Sequence, residues 1–113
     1  MNIRREAREA CELLTVEGDI DLSTSPSLRK HLEGILDRER TSLVIDLSSV
    51  RHMDSSGIAV LIEAERWARK HGRRLLLASL SDQVRMVLEL ARLQGFFSIA
   101  EDLEGALRLC RAG

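Results

Sequence analysis

Leu43-Val44-Ile45-Asp46-Leu47 is a short, almost continuous apolar run, and no other segment narrows the choice of fold as much. It is too short for an ordinary helix. As a strand it carries apolar side chains at successive positions, so it needs cover on both faces. Arg74 to Ala78 reads the same way. Between the two runs, Ile58, Leu61, Ile62 and Ala68 fall on one side of a helix, and Val60, Ala64 and Trp67 on an adjacent side. Gly72 stands where a C′ glycine ends a helix. Apolar strands separated by helices imply parallel neighbours joined by right-handed crossovers.

The other segments extend this pattern. Residues 2–10 are polar and weakly patterned, an edge strand or a loose arm. Cys11 to Glu17 centre on Leu13, Leu14 and Val16 and read as a strand, which Gly18-Asp19-Ile20-Asp21 breaks. The loop Leu22-Ser23-Thr24 leads to Ser25-Pro26, a cap followed by proline at the first helical position. Leu28, Leu32, Ile35 and Leu36 then share one helical face, with Arg29, Lys30, Glu33 and Asp37 pointing elsewhere and an end near Arg38. Gly34 inside this helix costs about 1 kcal/mol relative to alanine. Ser81 is placed to cap a third helix with Val84, Val87, Leu88 and Ala91 inward and Gly95 as its stop. Phe96, Phe97 and Ile99 suggest a short last strand. Glu101 to Arg111 is a final helix with Leu103, Ala106, Leu107 and Cys110 inward.

The order β-β-α-β-α-β-α-β-α predicts an α/β fold: one mixed, mostly parallel β-sheet packed with about four α-helices, its first two strands antiparallel. A chain of 113 residues fits one domain, and no repeat, linker or low-complexity tract divides it. The net charge of -1 argues against a general nucleic-acid binder. No 18-residue apolar run suggests membrane insertion, and Met1 to Glu6 lack an apolar signal region, so a cytoplasmic protein is expected. Cys11 and Cys110 lie at opposite ends of the sequence. They make no zinc motif, and a disulfide requires the two ends to meet; reduced, partly buried thiols are the expectation.

The residues with chemical interest follow the buried run. After a short polar turn, Asp54-Ser55-Ser56-Gly57 stands at a strand-to-helix junction, where α/β domains place their sites. Hydroxyls there face free backbone N–H groups and the positive end of a helix dipole. Such a turn suits a phosphate; it equally suits plain capping by Asp54 and a serine, with Gly57 allowing tight packing. Met53 stands where a nucleophile elbow needs a small residue, so a hydrolase is excluded. Neither phosphate-loop pattern occurs, and His31, His52 and His71 stand alone, so no catalytic residue, cofactor or metal is assigned. His52 reads as a surface residue or a partner contact. Arg66 to Arg74 form a basic run suited to a helix C-terminus.

Three pieces of the chain resemble the STAS domain family, the fold of bacterial anti-sigma factor antagonists. They are Gly18-Asp19-Ile20-Asp21; Val44-Ile45-Asp46-Leu47 with Met53-Asp54-Ser55-Ser56-Gly57; and Val84 to Leu90 with Leu93 and Phe96-Phe97. The resemblance runs from about Leu13 to Leu107 and implies a single STAS domain over 1–113. It further implies a non-enzymatic regulator whose partner is an anti-sigma factor with serine kinase activity. The phosphorylated residue would be Ser55, with Ser56 as the second hydroxyl. Unphosphorylated, the protein would bind the anti-sigma factor and free the sigma factor for transcription; phosphorylated, it would let go. Asp21, Ser23, Asp54, Ser55, Ser56, Gly57, Val60, Ala64 and Trp67 are the implied partner-binding residues. STAS domains also serve as subunits of ABC transporters for phospholipids and outer-membrane asymmetry, and Gly57 to Ala64 with Trp67-Ala68-Arg69 is similar to those. In that role the Val60/Ala64/Trp67 side would be a permanent contact with the permease or ATPase. A homodimer is a further reading of so broad an apolar helix.

Overall fold

The computed structural model describes residues 1–8, 11–38 and 42–112. Its elements are β1 (Asn2–Ala7), β2 (Cys11–Ile20), α1 (Ser25–Arg38), β3 (Ser42–Met53), α2 (Ser55–Lys70), β4 (Leu75–Ala78), α3 (Asp82–Leu90), β5 (Ser98–Ala100) and α4 (Leu103–Ala112). The strands form one five-stranded sheet in the order β1-β2-β3-β4-β5. β1 is an antiparallel edge strand on β2; the remaining neighbours are parallel. Residues 9 and 10 of the expected arm lie outside the described residues.

Both faces of the central strands are covered, as their apolar runs demand. Leu43, Ile45 and Leu47 of β3 and Leu75 and Leu77 of β4 pack with Leu28, Leu32 and Ile35 of α1, Val60 and Leu61 of α2 and Val84 and Leu88 of α3. The alternate residues Val44, Leu76 and Ala78 pack with Ala106 and Cys110 of α4 on the other face. Full burial of one such leucine is worth about 1.5–3 kcal/mol, so this two-sided pattern dominates the preference for the sheet.

Several boundaries differ from the sequence reading. The stretch expected to be a polar turn after Leu47 is strand, because β2 also continues past Glu17 to pair with it: Gly18 opposes Val50, Asp19 opposes His52 and Ile20 opposes Met53. Val50 and Met53 turn inward while Ser48, Ser49, Arg51 and His52 stay exposed. Gly18 takes φ 98, a left-handed conformation that suits the irregular register there. Helix α1 includes Ser25, so proline follows the first helical residue; Thr24 carbonyl accepts from the Ser27 and Leu28 amides. Helix α3 ends at Leu90, where Arg92 adopts φ 58 and the Leu93 amide returns to the Leu88 carbonyl. Gly95 therefore does not stop it, and Ala91 is exposed rather than inward. Phe96 and Phe97 form a turn before β5, their rings edge to face at 5.1 Å.

Candidate functional site

Strand pairing brings three loops together at the C-terminal end of the sheet. The Asp54 amide donates to the Ile20 carbonyl at 3.1 Å, tying the β3–α2 turn to the β2–α1 loop. The Met53 amide donates to Gln83 Oε1 at 2.8 Å, tying the same turn to the start of α3. Gly57 is buried beneath this junction. A Cβ there would lie 2.7 Å from both Ile20 Cγ2 and Met53 Cγ, so the helix approaches the strands this closely only with glycine.

Asp54 is the N-cap of α2, with extended backbone. Its Oδ1 accepts from the Ser56 amide at 2.9 Å and from the Ser56 hydroxyl at 2.5 Å. These bonds hold its carboxyl below the usual aspartate range: the Ser56 hydroxyl contributes most, burial opposes, and the negative charge of Asp21 also opposes. The two serines are therefore unequal. Ser56 is half-buried and its hydroxyl is committed to Asp54. Ser55, the first residue of α2, is exposed, and its hydroxyl has no hydrogen-bond partner among the described residues.

The β2–α1 loop has the same chemistry. Asp21 Oδ1 accepts from the Ser23 amide and hydroxyl at 2.9 and 2.7 Å and from the Thr24 amide and hydroxyl at 3.1 and 3.2 Å. The Ser23 hydroxyl is the main reason the Asp21 carboxyl is held low; burial opposes it and the loop amides reinforce it. Both aspartates thus carry charge at neutral pH, and Asp21 is near enough for its charge to act on Asp54, the residue before Ser55. Between Asp21 and Ser23, Leu22 is 79% exposed on this braced loop. On the α3 side, Met86 follows Gln83 by one helical turn and is also exposed. Sequence periodicity gave neither residue a role, because an exposed apolar side chain carries no periodic signal of its own.

Two residues assigned to the partner surface lie elsewhere. Val60 and Ala64 are buried against α1, which covers the second apolar side of α2. A cleft of about 110 Å³ between the two helices is lined by Leu32, Leu36, Val60, Ala64 and Trp67. Trp67 is half-buried at its edge and stacks on His71 at 3.9 Å. On the side that the transporter reading offered to a permease, Val60 and Ala64 therefore face α1, while Trp67 stays partly exposed. His52 is an exposed strand residue opposite Asp19. Among the described residues no group of His, Cys, Asp and Glu could hold a metal, and no helix is long and apolar enough to cross a membrane.

A STAS domain model matches residues 2–106. The chain belongs to the STAS domain family. It is 34% identical over 92 residues to an anti-sigma-B factor antagonist of Listeria monocytogenes, a match that covers 81% of this chain and 80% of the relative. It is 27% identical over 95 residues to the anti-sigma-B factor antagonist of Bacillus subtilis, covering 84% and 86%. In fold it is similar to the crystal structure of an anti-sigma factor antagonist from Mycobacterium paratuberculosis, with a TM-score of 0.89 and 24% identity over 97% of this chain and 93% of the other. Within STAS domains it falls with the anti-sigma factor antagonists.

Proposed function

We propose that this STAS domain is a non-enzymatic anti-sigma factor antagonist. It binds an anti-sigma factor through the surface around Ser55, and transfer of a phosphoryl group from that partner to Ser55 ends the binding. The observation that carries this reading is the inequality of the two serines: one hydroxyl is free and exposed at a helix start, the other is locked to the capping aspartate. A phosphate on Ser55 would add about -1.5 to -2 charges beside Asp21 and Asp54. A partner surface fitted to two carboxylates and a neutral hydroxyl would then meet a much larger negative charge. Nucleotide and magnesium belong to the kinase in this scheme.

The test uses the purified protein, an anti-sigma kinase of the same organism and ATP, with the modified site mapped by mass spectrometry. Phosphate is expected on Ser55 and is lost in Ser55→Ala. In parallel, Ser55→Asp is expected to lower partner affinity by about 100-fold while leaving the melting temperature near that of the parent, since an acid in the first turn of a helix is favourable. Incorporation undiminished by Ser55→Ala, or full affinity in Ser55→Asp, sinks the switch.

A further inference from the structure

The two cysteines fall in one small core, although almost the whole chain separates them. Cys11 is the first residue of β2 and Cys110 lies in the last turn of α4. Both belong to the small core beneath α4, with Leu13, Val44, Leu76 and Ala106, and are 2% and 7% exposed. The two thiols lie close enough to influence each other's ionisation. The backbone is pinned on each side: the Arg8 amide donates to the Cys11 carbonyl at 2.8 Å, and the Arg74 guanidinium donates to the Leu109 carbonyl at 2.8 Å. Two thiols held in one small folded core have a far higher effective concentration than the same thiols on an unfolded chain. The chain contains no other cysteine to compete for the pairing.

We infer that Cys11 and Cys110 form a reversible dithiol–disulfide site that is oxidised by exchange with a small-molecule disulfide such as glutathione disulfide. In the first step one thiol loses its proton and attacks a sulfur of glutathione disulfide. A mixed disulfide forms and one glutathione thiolate leaves. In the second step the other cysteine, deprotonated, attacks the protein sulfur of that mixed disulfide and displaces the second glutathione. Two protein thiols become one disulfide, and one glutathione disulfide becomes two glutathiones. The bond closes a loop of nearly the full chain, the case in which cross-linking constrains the unfolded state most.

The local chemistry sets the rate. Burial raises the pKa of both thiols and pushes Cys110 up to about 12, so thiolate is scarce in the closed structure. Exchange therefore proceeds as the last turn of α4 opens, slowly at neutral pH and faster at higher pH. The site lies at the opposite end of β3 from Ser55: Cys11 pairs with Ser42, the first residue of that strand, whereas Ser55 follows its last. Oxidation braces α4 against β2 and leaves the proposed docking turn unchanged.

The test is an equilibrium. The full chain is held in glutathione redox buffers, quenched with acid and weighed by mass spectrometry, under native conditions and again in urea at unfolding concentration. The expected product is a protein lighter by two hydrogens, favoured roughly 100-fold more in the native state than in the unfolded chain. By linkage the oxidised protein also melts higher than the reduced one. Cys110→Ala is expected to give only a mixed disulfide on Cys11 and to lose that rise in melting temperature. An equal or smaller preference in the native state, mixed disulfides in place of the intramolecular bond in the parent protein, or the same rise in Cys110→Ala overturns the inference.

Discussion

The two ends of α2 treat their polar groups in opposite ways. At the N-terminal end, Asp54 accepts from the Ser56 amide and hydroxyl, and the Ser55 hydroxyl is left free. At the C-terminal end, three arginines of the basic run donate to backbone carbonyls of other segments. Arg73 donates to Leu36 near the end of α1, Arg74 to Leu109 near the end of α4 and Arg69 to Phe96 in the turn before β5. Arg69 also pairs with the buried Glu65 at 2.7 Å. Both ends look equally polar in sequence, yet one holds neighbouring segments in place and the other presents a hydroxyl to solvent. A polar cluster becomes a candidate site when its groups are positioned by the fold without being used up by it.

Gly57→Ala attacks the N-terminal end where the margin is smallest. Because the new methyl would meet Ile20 and Met53 at 2.7 Å, the helix must shift, and a loss of about 1–3 kcal/mol is expected in urea unfolding. A change within experimental error would mean that the turn is looser than its geometry indicates. The acid response comes next in size. The folded-state pKa values of Asp21 and Asp54 are lowered. Their stabilising contribution is therefore complete above the unfolded value, about 3.9, and is lost as pH falls through the folded values. Asp54→Asn keeps a capping oxygen but no charge, so its stability should fall less steeply below about pH 4 than the parent's; thermal melts across that range decide it. The smallest effect is expected at the other end. Arg74→Ala removes an exposed bond to a helix carbonyl and should cost about 0.5–1.5 kcal/mol, with no change in partner affinity. A large loss of affinity there would move the docking surface to the basic end and undo the contrast.

Much of the fold was legible because it rests on periodicity. Leu43 to Leu47 and Leu75 to Ala78 required two-sided cover, and the helices that provide it showed their apolar faces. Capping chemistry was legible for the same reason: Asp54 and Ser81 sit at helix starts and accept from amides within their own first turns. The misreadings came where a partner element outweighed the local signal. Ser48 to His52 look like a turn, but β2 is long enough to pair with them. Gly95 looks like a helix stop, but Arg92 had already turned the chain. Val60 and Ala64 look like a spare face, but α1 lies on it.

The sequence by itself determined the α/β architecture, the strand-to-helix junction and the presence of two hydroxyls there, since these follow from local spacing of apolar, capping and small residues. Only the tertiary structure decided which aspartates share the surface and that the two cysteines share one core. Those depend on contacts between segments far apart in the chain, and strand register, not local composition, fixes such contacts.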